Sequence, residues 1–147
     1  MSTEDSRTGA SYEFQHTIRA IDSATSLRLD PGDEFPDVLA TSRMVALMEL
    51  AAARLMRRQL ATGQLSVGVS IDVRHLAATP LFETITVKAI DLGPEGKLRK
   101  FRVEVTDAGG LVGEGLHTRA IVTPERLLDG AAKRIRAAGP RYSEWAV

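Results

Sequence analysis

The spacing of hydrophobic residues changes twice along this chain, from alternation to a helical period and back. From Tyr12 to Ile18 apolar and polar side chains alternate, with Tyr12, Phe14, His16 and Ile18 on one side, which predicts a short strand. The segment DPGDEFPDV (residues 30–38) carries Pro31, Gly32 and Pro36, and these breakers leave it as a loop. From Thr41 to Ala61 Gly and Pro disappear, and Ala, Leu, Met and Arg predict a helix. Thr41 or Ser42 is placed to cap it, and Gly63 to end it in a left-handed turn. Its middle, Met44 to Ala53, is apolar on every side except at Glu49, the pattern of a buried helix.

Strict alternation then returns. Val67, Val69, Ile71, Val73 and His75 are expected on one strand face, and Ser66, Gly68, Ser70, Asp72 and Arg74 on the other. Ile85, Val87 and Ala89 mark a second strand, and a turn at Gly93–Gly96 leads to a third bearing Phe101, Val103 and Val105. Asp107–Gly110 turns into a fourth strand, whose even positions Val112, Leu116, Ala120 and Val122 are apolar. The hairpins predict an antiparallel sheet with one covered face. A terminal helix follows, capped by Thr123, opened by Pro124 and stopped by Gly139-Pro140.

The element order is that of an α+β chain: an antiparallel β-sheet wrapped around one long central α-helix, plus a C-terminal helix. This is the arrangement of a hotdog fold. Residues 1–10 lack apolar periodicity and are expected to be a disordered leader. Residues 11–123 make the single domain, and 124–147 the terminal helix and tail. One small sheet covers such an apolar helix poorly, so a homodimer, or a higher homo-oligomer, is the expected completion.

Composition narrows the function. The 147 residues hold 19 Lys+Arg against 19 Asp+Glu, a balance without the basic excess of a nucleic-acid binder. The absence of cysteine excludes disulfides, thiolate metal sites and a cysteine nucleophile. No apolar run approaches the ~18 residues needed to cross a bilayer. The first ten residues are polar and acidic, unlike a signal or transit peptide, so a cytoplasmic protein without membrane or nucleic-acid partners is expected.

Glu49 is the most informative residue, because a carboxylate in an apolar site must shift its pKa or find a partner. Thr41 precedes it by eight residues, a little over two helical turns. His75 continues the apolar row of its strand. A hydroxyl, a carboxylate and an imidazole without a metal are the components of hydrolysis by nucleophilic or general-base catalysis. Simpler readings stand beside this one. Glu49 could pair with Arg54, His75 could be a core residue satisfied by hydrogen bonds, and Thr41 could serve only as a cap. Gly68 could merely relieve crowding or could allow a close ligand approach. His16, His75 and His117 are too scattered to suggest a metal site.

The segments EFPDVLATSRMVALMELAAARLM, SVGVSIDVRHLAATP and GEGLHTRAIV resemble the fluoroacetyl-CoA thioesterase-like family of hotdog proteins, over roughly residues 34 to 122. The resemblance implies an acyl-CoA thioesterase acting on a short or small acyl group without a cofactor. It places catalytic roles on Thr41, Glu49 and His75, an aromatic gate on Phe35, a glycine near the acyl group on Gly68, and a substrate-side arginine on Arg119. Ser42-Arg43 stands where the fluoroacetyl-specific enzyme is smaller or more apolar, which implies a different acyl pocket. His117 and Arg119 are expected on the face of the last strand opposite its apolar row, either meeting CoA phosphates and closing the site or simply solvated. The tail residues Lys133, Arg134, Arg136 and Arg141 could attract the CoA nucleotide. Competing readings are a hotdog hydratase or dehydratase, whose YxxGDxNPxH-like loop is absent, and a non-catalytic acyl-CoA or small-ligand binding module.

Overall fold

The computed structural model describes residues 6–139. The elements run β1 (Ser11–Thr17), α1 (Thr41–Arg57), β2 (Leu65–His75), β3 (Thr84–Glu95), β4 (Leu98–Asp107), β5 (Gly110–Val122) and α2 (Pro124–Ala137). Two short 3-10 turns, Ala20–Asp22 and Ala24–Leu27, precede α1. All strand pairs are antiparallel, in the order β1-β3-β4-β5-β2, so β1 and β2 are the sheet edges. This is the expected hotdog arrangement.

α1 lies on one face of the sheet and buries a single stripe, Met44, Leu47, Met48, Ala51, Leu55 and Met56, at helical spacing. The sheet answers with Ile85, Val87, Phe101, Val103 and Val105. Each large side chain taken fully out of water stabilises the fold by about 1.5–3 kcal/mol. The flank Ser42, Val45, Ala46, Glu49, Leu50 and Ala53 is only partly covered or open, so in the single chain α1 is half-wrapped rather than buried all round. α2 has no buried residue. No helix among the described residues is long and apolar enough to cross a membrane.

Several local expectations change. α1 ends at Arg57 instead of Ala61, and Gly63 takes its left-handed φ of 82° in the turn beyond it. The N-cap is Ala40, without a side-chain cap bond, so Thr41 is the first helical residue and its hydroxyl is not used as a cap. Thr123 is the N-cap of α2 but likewise makes no side-chain cap bond. The β3–β4 turn lies at Gly96-Lys97, whereas Gly93 occupies a register shift within the hairpin. Of the leader, residues 6–9 form a turn whose Gly9 N–H donates to the Asp91 carbonyl, and 1–5 lie outside the described residues, as does the tail from Pro140.

The largest departure is in β2. Its pairing with β5 shifts between Gly68 and Ser70, leaving Val69 as the extra residue of a β-bulge. Before the bulge the even positions face α1, so Gly68 sits opposite Arg119; after it the odd positions do, and Ile71, Val73 and His75 sit opposite His117, Gly115 and Gly113. Val69 is turned outward and is 54 % exposed. Gly68 and His75, expected on opposite faces, therefore share the helix side. A second shift, where Val105 and Thr106 pair with Gly113 and Leu111, leaves Val112 as the extra residue on β5 and reverses the expected facing of the positions beyond it. His117 and Arg119 point into the core, whereas Leu116 is exposed.

One buried carboxylate fixes where α1 begins. Asp22 is fully buried; its carboxylate accepts from His16 Nε2 (2.8 Å), Arg43 Nε (2.9 Å) and the Arg19 N–H (3.0 Å). Its carbonyl accepts from the Ala40 N–H (2.8 Å). Burial alone would raise its pKa, but the bonds from Arg19, His16 and Arg43 together outweigh that and hold it below the usual carboxylate range. Asp22 thus ties the end of β1 to the first turn of α1. Asp22→Asn should cost about 2–4 kcal/mol, because it breaks a buried, multiply bonded ion pair while keeping shape. Chemical denaturation measures this, and a loss under ~0.5 kcal/mol would show that the clamp is not needed.

Candidate active site

The sequence-predicted residues gather in two places. At the N-terminal end of α1, Thr41 Oγ1 lies 2.8 Å from His75 Nδ1 at the end of β2. His75 Nε2 is buried and has no hydrogen-bond partner among the described residues. Burial pushes the imidazole below its ordinary pKa of 6.5, against a raising contribution from the Ala77 backbone, so the ring is neutral at pH 7. A neutral imidazole bonded at Nδ1 presents Nε2 as a single free donor or acceptor, whichever tautomer it holds. A cavity of about 320 Å³ opens on the pair, bordered by Ala24, Pro36, Val38 and Leu76.

Glu49 belongs to the second place. Eight residues after Thr41, it stands about 12 Å further along α1. Its Oε1 lies 3.7 Å from Arg119 Nη1, and its side chain is 42 % exposed. Gly68 makes this position possible: a Cβ there would overlap Glu49 Oε1 and press on the His117 ring. Arg119 is buried and held on three sides. Its Nε donates to Ser66 Oγ (2.9 Å), its Nη2 to the Ser66 carbonyl (3.0 Å), and its Nη1 to His117 Nε2 (3.1 Å). His117 Nδ1 in turn donates to the Ser70 carbonyl (2.8 Å), across the bulge. Burial lowers the pKa of both His117 and Arg119, and the Glu49 carboxylate partly offsets this in each.

These contacts decide among the alternatives left by the sequence. Arg54 does not pair with Glu49; its guanidinium bonds Tyr12 Oη and stacks 4.9 Å from the Phe14 ring centroid. Thr41 is bound to His75 instead of capping the helix. Arg119 and His117 do not form a solvated face, because both are turned inward by the altered β5 register. Phe35 stays on its loop, 44 % exposed, lining a separate small cavity with Thr25 and Arg28, though the adjacent Pro36 borders the His75 cavity. Arg43, which was expected to alter the acyl pocket, is directed to Asp22. Of the positions that alternation misplaced, Ser66 carries no signal, whereas His117 and Arg119 carry one: His and Arg two apart behind two alternate glycines, in GEGLHTR, fit an inward polar row made roomy by glycine. His16, His75 and His117 each have a different neighbourhood, and no cluster of three metal-ligating side chains occurs among the described residues.

The fold is that of the hotdog thioesterases, and comparison with known proteins makes the chain a thioester hydrolase. Residues 21–125 match the family described as fluoroacetyl-CoA-specific thioesterase, FlK. The fluoroacetyl-CoA thioesterase of Streptantibioticus cattleyicolor is 43% identical over 93 residues, 63% of this chain and 67% of that protein. A solved structure of FlK superposes with a TM-score of 0.80 at 32% identity, covering 93% of this chain and 100% of that one. A Thermus thermophilus thioesterase superfamily member superposes with a TM-score of 0.78 at 26% identity, over 88% and 96% of the two chains. The chain belongs to the fluoroacetyl-CoA-specific thioesterase family and is an acyl-CoA thioesterase.

The two lowered imidazoles predict a pH dependence of stability. A histidine with a folded pKa below its unfolded value of 6.5 binds fewer protons when folded, so its contribution is complete above 6.5 and is lost as pH falls through that value. The thermal midpoint should fall as pH is lowered from about 7.5 to about 5.5, and His117→Gln should flatten that fall. A midpoint that is level across the interval in the parent protein contradicts the buried, neutral state of the two rings.

Proposed function

We propose that this chain hydrolyses a short acyl-CoA thioester to the free acid and CoA, in the cytoplasm, at a site completed between two copies of the chain. One observation carries the reading: Thr41–His75 and Glu49–Gly68–Arg119 lie at opposite ends of β2, an edge strand with its outer side unpaired. Within one chain Glu49 is held away from His75: it stands about 12 Å along α1 from Thr41, which touches His75, and lies over Gly68, seven residues before His75 on β2. If a second copy of β2 pairs antiparallel with the first, about an axis near Ile71-Asp72, each His75 comes opposite the partner's Gly68 region. Two sites then form. The same pairing would cap an exposed sheet edge and cover the open flank of α1, both of which a lone chain leaves to solvent.

In this site Glu49 either attacks the thioester carbonyl carbon or removes a proton from the water that does. The C–S bond breaks as the new C–O bond forms, and one water is consumed overall, its hydroxyl going to the acyl carbon and its hydrogen to the CoA sulfur. His75, neutral and with Nε2 unengaged, acts as a relay: it takes up the proton released from the water and passes it to the departing thiolate, so the ring ends neutral as it began. Thr41 holds the ring through Nδ1. The first-turn N–H groups of α1, beside the same pair, lack intrahelical partners and suit the oxyanion. Phe35, on the loop next to the His75 cavity, is the gate that the family resemblance suggests, and Arg119 lies beside the reacting carboxylate. Similarity to enzymes named for fluoroacetyl-CoA, one solved with fluoroacetate and CoA, supports a small acyl group.

Glu49→Gln and His75→Ala should each lower hydrolysis of the best acyl-CoA at least ~100-fold while leaving the thermal midpoint nearly unchanged. Mass analysis of a panel of acyl-CoAs incubated with the protein identifies that substrate. Released CoA is the expected product; an enoyl or hydroxyacyl mass change, or near-native rates in both variants, would overturn the reading.

A further inference from the structure

We propose that His117 is a positioning residue for the reaction: it fixes the direction of the Arg119 N–H that faces Glu49. The inference rests on the reading of Glu49 as the reacting carboxylate. His117 is 1 % exposed and its ring has only two polar atoms to place. The Ser70 carbonyl can only accept, so the 2.8 Å contact assigns the proton to Nδ1. Nε2 of a neutral ring is then a lone pair, and Arg119 Nη1, which can only donate, fills it at 3.1 Å. A second proton on the ring would set two donors against each other.

The guanidinium has little freedom left. Two of its nitrogens are spent on Ser66, and of the two hydrogens on Nη1 one goes to His117. The remaining one faces Glu49 Oε1, 3.7 Å away. With Ser66 anchoring the opposite side of the planar group, His117 fixes the turn of Nη1 and so where its second hydrogen points. The ring is itself held in place, with Phe101 packed at 6.4 Å between centroids and Gly68 leaving the room beside Cε1. The other cation on this part of the sheet does not compete. Arg99, paired with Arg119 in the β4–β5 register, is taken by Asp91, whose Oδ1 lies 2.8 Å from Arg99 Nε. Arg119 is thus left to Glu49, through a chain of contacts that starts at the β2 bulge.

Two substitutions separate the ring's functions. Asn can keep a donor near the Nδ1 position but loses the acceptor for Arg119; Gln can keep an acceptor near the Nε2 position but loses the donor to Ser70. On the best acyl-CoA substrate, His117→Asn should lower kcat about 10- to 100-fold with KM within about threefold, and His117→Gln should retain most of kcat. In a Glu49→Gln background His117→Asn should cause no further loss. Equal losses in the two variants, a folded His117→Asn enzyme with native kcat, or an effect confined to KM would each overturn the proposal. Should His117→Asn fail to fold, nitrogen NMR of the parent protein still tests it. The ring is expected as the neutral Nδ1–H tautomer at pH 7, and an Nε2–H tautomer or a charged ring refutes it. A Glu49→Gln enzyme with near-native turnover would instead remove the premise, and the inference with it.

Discussion

A single inserted residue in an edge strand governs how this chain presents its chemistry. Strand side chains alternate with a period of two, so a residue added without a partner exchanges the faces of everything beyond it. Val69 is that residue. Upstream of it Ser66 and Gly68 face the helix; downstream Ile71, Val73 and His75 do. A regular β2 with His75 facing α1 would turn Gly68 and Ser66 to the outer face, leaving Arg119 without its two anchors on Ser66 and Glu49 without the empty space over Gly68. The cost of the bulge, a locally broken ladder, is met in part by the His117 imidazole bonded to the Ser70 carbonyl.

The buried charges follow one rule, which is that each has a named partner on another element. Asp22 is shared by His16 and Arg43, Asp91 by Arg99 and Gln59, and Arg119 by Ser66, His117 and Glu49. The first of these aligns α1 with β1, the second joins β3 to β4, and the third joins β5 to β2 and reaches α1. Such groups are costly if left alone in a low-dielectric interior, so each arrangement narrows the geometry that the chain can adopt. His75 is a different case, a neutral ring with only Nδ1 engaged, by Thr41. Its Nε2 is buried and unengaged among the described residues, and it borders a cavity. Unspent hydrogen-bonding capacity of that kind belongs where a substrate or a second chain is to arrive.

The element order was legible from periodicity alone, since the apolar run of α1 and the alternating strands leave few other arrangements. Thr41, Glu49, His75 and Gly68 stood out because each breaks a local pattern or matches the family motif. Alternation misled at β2 and β5, where it put Gly68 opposite His75 and sent His117 and Arg119 to the outer face. The reason is physical: a bulge has no reliable residue signature when the inserted residue is a valine that fits a strand anywhere. The role of Asp22 was hidden for a different reason. Its partners, His16 and Arg43, are distant in sequence, and only tertiary packing brings a carboxylate from a loop between them.

The central claim is that the reacting groups come from two chains. Mixed dimers test it directly: Glu49→Gln and His75→Ala subunits, each inactive alone, are unfolded together and refolded as an equal mixture. Half of the dimers would then be mixed, and each mixed dimer would hold one site with Glu49 from one chain and His75 from the other. Recovery of up to about a quarter of the parent activity is the predicted result. A mixture no more active than the separate variants, although mixed dimers are present, would contradict a shared site.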